Sequence, residues 1–519
     1  MNEEKGVNIK MMKLPEQLVG AALAILVSVL FNSSIGYATE STAAAKYEDL
    51  TKESWTDLAL KYPEPYFEQD EKAALPPDIL ANWWSVMQDD TLTWLITLSL
   101  QQNKDLLSAR ARVNEARAAL GISKATLLPW LDANGSWTRT DTSENSPYTG
   151  LRGFHTDYKL GIDASWEIDV FGRQRENVRA ASANLQAEHA SLYANWVTLS
   201  SEVAMNYISL RTLQERLDIV KEQAKSQEKS IELLQTKRDA GLISDLPLVQ
   251  SIYTLQQTQA TIPELKTSIS ETMNRLAILT GLLPGSLQAT LQKNSGLPDI
   301  NPQLYAAIPA DSLRQRPDIH AAERKLAAQL AKTKAAKGDL KPKISLFGSL
   351  GWESENSGSL ISIGSKGFSI GPQISLPIFH AGAIHRNIDV QTEKEKEYFA
   401  DYENTVLQAV AEVRNSLTGL SQERERKEAL QKGTKSAEDA LELAQNSYEN
   451  GLIDYNVVLD AQRNLLKLQN DYVVSKGQEL TDLVQLFKAM GGGWSPLESE
   501  EINNRKVDNV KNTEKVRKQ

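Results

Sequence analysis

Cysteine is absent from the whole chain of 519 residues. That removes disulfides, thiolate zinc sites and cysteine nucleophiles together, and with them an acyl anchor on a first mature cysteine. Histidine is scarce: only His155, His189, His320, His380 and His385 occur, and the last two are five apart, the wrong spacing for one helical face. No HExxH, Walker A or GxSxG pattern is present, and Gly491-Gly492-Gly493 follows a helical stretch without a phosphate-loop frame. No catalytic residue, cofactor or metal ligand is therefore expected. A basic excess is missing too: the net charge of -10 argues against a nucleic-acid partner. Past residue 31 no apolar run approaches the ~20 residues of a spanning helix, so a membrane crossing by the rest of the chain must use β-strands.

What is present begins at the N-terminus. Lys10 and Lys13 precede an apolar run from Leu18 to Phe31, and small residues follow up to Ala38. This order predicts a secretory signal peptide over residues 1-38, with a start at Met11 or Met12 as an alternative. Residues 39-91 are read as an N-terminal periplasmic segment. At 41% hydrophobic and 24% charged residues, the remainder has the composition of a folded protein.

The chain is an internal tandem. Four landmarks recur in order: Leu128-Pro129-Trp130 with Lys341-Pro342-Lys343, Val170-Phe171 with Ile378-Phe379, Gly241-Leu242-Ile243 with Gly451-Leu452-Ile453, and Leu279-Thr280-Gly281 with Ala489-Met490-Gly491. Their separations run from 208 (379 minus 171) to 213 (342 minus 129). The first repeat is assigned to residues 92-281 and the second to 318-491. The Pro-rich stretch 282-317 is a linker and 492-519 a disordered tail. Each repeat opens with an approach helix, Leu92 to Leu127 or Asp318 to Leu340.

Each approach meets a proline, and the hydrophobic period then changes to two. Tyr158, Leu160, Ile162, Ala164, Trp166 and Ile168 alternate with Lys159, Gly161, Asp163, Ser165, Glu167 and Asp169. Phe368, Ile370, Ile374, Leu376 and Ile378 alternate in the same way. With partners near 130–140 and 343–352 they make hairpins over 129-170 and 342-379, long enough for membrane strands. Four strands cannot close a barrel, and open edges cannot sit in lipid. Several chains must pool them.

Long helices without proline follow, about 172–240 and 382–450, each reaching on the order of 100 Å at 1.5 Å per residue. Leu185, Leu192 and Leu199 repeat at seven, as do Val203, Leu210 and Leu217, with Val406, Val413 and Leu420 in the second copy. Such heptads predict coiled-coil seams. Gly241 and Gly451 end these helices, and Ser244 and Asp454 cap the return helices. The expected fold is mainly α with membrane β: four transmembrane strands and two coiled-coil helical hairpins per chain, 172-280 and 382-490.

At this point the sequence resembles the TolC family of outer-membrane efflux proteins, in particular its NodT-like outer membrane factors. The resemblance rests on Trp166-Glu167-Ile168-Asp169-Val170-Phe171-Gly172-Arg173, on Arg316-Pro317-Asp318-Ile319-His320-Ala321-Ala322-Glu323-Arg324, and on Lys341-Pro342-Lys343-Ile344. It implies a homotrimer whose twelve strands form one barrel above an α-helical periplasmic tunnel, held in outer-membrane lipid. It also implies a periplasmic adaptor (membrane fusion) protein and an inner-membrane pump of the resistance-nodulation-division (RND) type as partners. Many members of this branch carry a lipidated cysteine, and here the chain departs from them. Family members close the periplasmic tip with acidic and tyrosine side chains, which points to Asp460, Asp454 and Tyr455 as candidate gate residues. The function so implied is a passive exit duct for small molecules. A duct for polypeptide secretion of type I and a periplasmic coiled-coil scaffold are the alternatives.

Overall fold

The computed structural model describes residues 80–143, 153–298 and 316–494. The expected signal peptide, most of segment 39-91, part of the linker and the tail from Ser495 lie outside the described residues. All described residues belong to the second of two units into which the chain divides, the one beginning at Asp70.

Helix α1 (Asp90–Gln102) starts where Asp89 Oδ1 accepts from the N–H groups of Thr91 and Leu92 (2.8 and 3.0 Å). It stops at Asn103, whose side chain accepts from Leu106 N (2.9 Å) and so caps α2 (Lys104–Ala125). The single approach helix expected over 92–127 is thus two helices, because a capping asparagine offers the backbone an earlier exit. Strands β1 (Trp130–Thr142) and β2 (Gly153–Ile168) follow, then α3 (Arg173–Asp239) and α4 (Asp245–Leu279). After a single helical turn at Gln288–Leu291, the second repeat runs through α5 (Pro317–Gly338), β3 (Lys343–Ser354), β4 (Lys366–Ser375), α6 (Ala383–Glu449) and α7 (Tyr455–Ala489).

The duplication is metric. Helices α3 and α6 are both 67 residues long, α4 and α7 both 35, and α2 and α5 both 22. The β ends match less well. Strand β4 stops at Ser375, short of the expected Ile378, since Pro377 has no N–H for a ladder. The four strands make one antiparallel sheet in the order β1-β2-β3-β4, leaving β1 and β4 as edges.

The main core lies where the two repeats meet around their helix ends. Trp83 stacks on Phe487 with centroids 5.4 Å apart, and Tyr207, Leu210, Leu276 and Leu483 are buried beside them. Leu192, Leu199, Val203 and Leu210 of the first heptad seam, with Leu420 of the second, belong to this cluster. Each repeat is closed by one long-range hydrogen bond. Asn103 Nδ2 donates to the carbonyl of Leu279 (2.9 Å), and Arg316 Nη1 donates to that of Ala489 (2.8 Å). Gly492 and Trp494 belong to the folded part: Trp494 stacks on Tyr193 at 5.0 Å, and Gly493 N donates to the Leu80 carbonyl. The tail therefore begins later than residue 492.

Candidate functional site

Two regions carry the functional geometry, the sheet and the hairpin tips. In the sheet, register decides everything, because adjacent residues point to opposite faces. Asp163 pairs with Asp132 and Ser349, and Lys159 with Ser136 and Glu353. These residues share one face. There Asn134 Nδ2 donates to Asp163 Oδ2 (2.6 Å), and Lys159 Nζ sits 3.0 Å from both Asp157 and Glu353. Only Trp130 and Phe347 interrupt that face with large apolar groups. The opposite face carries Leu131, Trp137, Leu160, Ile162, Leu350 and Ile370, every one of them exposed. Arg139 and Lys366 lie on this apolar face only near its loop end. An exposed apolar face of this size behind a polar one is the signature of a membrane sheet lining a wet pore. Among the described residues no helix is long and apolar enough to cross a membrane.

The link from sheet to helix is built by the segment 166–173. Trp166 Nε1 donates to the Leu127 carbonyl (2.9 Å), and Arg173 Nη2 donates to both oxygens of Glu167 (2.8 and 2.9 Å). Asp169 accepts from the backbone N–H groups of Gln174 (3.1 Å) and Arg175 (2.9 Å), capping α3 from outside its first turn. Burial pushes the Asp169 carboxyl upward, but those hydrogen bonds and the Arg175 guanidinium outweigh it and hold the group below the usual carboxylate range. Gly172 takes φ +82°, which lets the chain turn from strand into helix.

At the far end, both hairpins close in the same way. Gly241 N donates to the Arg238 carbonyl and Leu242 N to that of Lys237; Gly451 N donates to Tyr448 and Leu452 N to Ser447. Both glycines have positive φ, +73° and +70°, as a Schellman end requires. Behind the tips Leu234, Leu248, Ala444, Val458 and Leu459 form a second core drawn from all four long helices.

The candidate gate residues separate within this frame. Tyr455 is buried in that second core, its ring 4.9 Å from that of Tyr448, so it ties the hairpin together instead of presenting its ring to solvent. Asp454 is exposed at the N-cap position of α7, with no side-chain capping bond. Asp460 is exposed on α7 and lies 3.3 Å from Arg463. Arg463 was missed by sequence reasoning, and it is the connector: its Nη2 donates to Tyr253 Oη of α4 at 2.8 Å. Tyr253 and Arg463 are 210 residues apart, so the two hairpins touch here through equivalent positions. The missed signal was an arginine one helical turn after the aspartate. Among the described residues no group of acidic or histidine side chains could hold a metal ion.

A sheet with one lipid-compatible face, joined to paired helices of on the order of 100 Å, is a channel subunit of the kind that bridges a membrane and an aqueous compartment. The model for outer membrane efflux proteins matches residues 95–282 and 308–492, one block on each repeat. The solvent efflux pump outer membrane protein SrpC of Pseudomonas putida is 32% identical over 409 residues, 79% of this chain and 86% of that protein. Nodulation protein T of Rhizobium leguminosarum bv. trifolii is 30% identical over 428 residues, 80% of this chain and 88% of that one. The CmeC outer membrane channel of Campylobacter jejuni superposes with a TM-score of 0.78 at 28% identity, covering 85% of this chain and 96% of that structure. The chain belongs to the outer membrane efflux protein family. It is an efflux channel protein of the outer membrane, with its helical hairpins directed into the periplasm.

Proposed function

We propose that three copies of this chain form one twelve-stranded barrel and tunnel, the passive exit duct of a tripartite pump for small apolar or amphipathic toxicants. The observation that carries this reading is the sheet, whose apolar face needs lipid while both its edges, β1 and β4, lack partners. Unpaired edges in hydrocarbon cost several kcal/mol per orphan group, so closure with other copies is required. The similarity to an outer membrane protein of a solvent efflux pump favours small molecules over exported polypeptides as cargo. The partners on this reading are a periplasmic adaptor and an inner-membrane pump of the RND type, which supplies the energy.

The tip is the gate on the same reading. Asp460 repeated by three-fold symmetry makes a negative ring that favours cations, with Asp454 at its rim. The Arg463–Tyr253 bond holds the two return helices together, and Arg463 shields Asp460 from full self-repulsion. Reconstituting the purified protein in planar bilayers tests this. Asp460→Asn should lower cation selectivity, and Arg463→Ala should raise the conductance. A soluble monomer, or unchanged traces for both variants, would reject the reading.

A further inference from the structure

Two cations stand on a surface that lipid should cover. In its helix-side half the apolar face of the sheet is built from residues such as Leu131, Ala133, Ile344, Leu346 and Ile374, without a charge. The loop end differs. Arg139 of β1 and Lys366 of β4 lie there on the same face, and neither has an ion-pair partner among the described residues. Arg139 sits over the Phe154 ring at 5.0 Å. The acid on that face, Asp141, is two positions further toward the loop and makes no ion pair with it. Trp137 pairs with Tyr158, and Trp352 with Lys366, so an aromatic belt runs through this end of the face. Such a belt marks the boundary between hydrocarbon and headgroups.

The height of the two cations agrees with that boundary. Each lies nine residues from the helix-side end of its strand, 139 minus 130 on β1 and 375 minus 366 on β4. Nine residues at about 3.3 Å, on a strand tilted by about 40°, climb about 23 Å, close to the height of the apolar band of a membrane barrel. The helices occupy the periplasm, so this end of the sheet meets the outer leaflet.

Within one chain the cations are on opposite edges of the sheet, with β2 and β3 between them. Closing a barrel sets edge β4 of one copy against edge β1 of the next. With the helix-side ends level, Ser375 opposes Trp130. The antiparallel register then sets Ile374 on Leu131, Phe368 on Trp137 and Lys366 on Arg139, every pair on the apolar face. A slip of one residue would put polar-face residues into lipid, and a slip of two leaves the cations as diagonal neighbours. Like charges directly opposite one another destabilise a sheet unless an anion bridges them. A phosphate monoester does this, because guanidinium takes two of its oxygens and ammonium a third.

We infer that Lys366 of one copy and Arg139 of the next form, at each seam of the barrel's outer surface, a site for a headgroup phosphate of lipopolysaccharide. This phosphorylated glycolipid of the outer leaflet brings phosphate, sugar and acyl chains to one place. Trp137 and Phe368 lie below the cations as a platform for the sugar, and Leu131, Ile370 and Ile374 meet the chains. The inference rests on the closed barrel proposed above and adds a ligand to its outer surface.

The test uses the full chain, purified as an oligomer in detergent, stripped of lipid and titrated with lipopolysaccharide by quenching of tryptophan fluorescence. Lys366→Gln and Arg139→Gln should each weaken binding about five-fold, and the double variant about twenty-fold. Lys366→Arg should bind like the parent, as should Lys343→Gln on the other face. Lipopolysaccharide stripped of its phosphates should bind the parent as weakly as the intact glycolipid binds the double variant. Equal affinity for phosphatidylglycerol would overturn the assignment to this lipid. Loss of binding in Lys366→Arg would trace the effect to packing and overturn the site. A double variant that keeps the oligomer's native mass and binds like the parent would overturn the site and leave the duct standing. A native mass of one chain in the parent would overturn the barrel and the site together.

Discussion

The two repeats share their lengths and differ in how their joints are made. In the first, the strand-to-helix junction is clamped by Trp166, by the Glu167–Arg173 pair and by the Asp169 cap. In the second, the matching stretch is Pro377-Ile378-Phe379-His380, with exposed Ile378 and Phe379 and positive φ at both Ala381 and Gly382. The closing hydrogen bond shows a similar divergence. A neutral asparagine makes it in the first repeat. In the second a buried arginine does so, and it also binds Asp318 (2.6 Å) and Glu412 (2.8 Å). A duplicated scaffold keeps backbone geometry because helix length and glycine conformation set the tube. Side chains at the joints are free to diverge wherever a joint has a different partner.

Glycine substitutions give the largest effects and separate joints from tips. A Cβ on Gly281 would run into the carbonyl of Gln102, and one on Gly491 would lie 3.1 Å from the Arg316 Cα; both positions also need positive φ. Gly281→Val or Gly491→Val should cost about 3 kcal/mol or more, read as a lowered guanidinium midpoint of helix loss. Gly241 and Gly451 also have positive φ but open space around them, so alanine there should cost only about 1 kcal/mol. Equal losses at all four would erase the distinction.

The closing bonds come next. Arg316→Ala removes a buried cation from two carboxylates and a carbonyl, and should cost about 2–3 kcal/mol. Asn103→Ala loses a cap and the bond to Leu279, about 1–2 kcal/mol. The order of the two in the same melt is the test.

A smaller effect is expected at Asp169, which the second repeat lacks. Asp169→Asn should cost about 1 kcal/mol at neutral pH. Because the folded carboxyl titrates below its ordinary value of 3.8, its contribution is present above that value and is lost as pH falls through the lowered folded value. Variant and parent should converge in an acid titration followed by circular dichroism. A gap that persists in strong acid would mean that the side chain acts by packing alone. The smallest effects on stability belong to Asp460→Asn and Arg463→Ala, both half to fully solvated, which should leave the melt within about 0.5 kcal/mol while altering conductance.

Much of the architecture was legible beforehand because it rests on periodicity. Alternation from Tyr158 to Ile168, heptads through Leu185, Leu192 and Leu199, and two tip glycines each report a local backbone requirement. The break at Asn103 was not legible, because an asparagine within a helical stretch can continue the helix or cap; here its Oδ1 caps Leu106 N while its Nδ2 is held by the distant Leu279 carbonyl. At the tip, the sequence named Asp460 as a gate candidate but not Arg463 beside it, whose partner Tyr253 lies on another hairpin. Tyr455 shows the converse, a polar aromatic at a promising position that the four-helix core behind the tips absorbs.

The sequence alone determined the tandem, the membrane-length strands with their polar and apolar faces, and the length of the hairpins, because each follows from spacing along one segment. Tertiary structure decided which of the duplicated positions are filled and which stand open. It also decided how the two hairpins are bolted at Arg463. These depend on contacts between segments far apart in the chain, 138 residues for Arg324 and Gln186 and 210 for Arg463 and Tyr253, which no local pattern encodes.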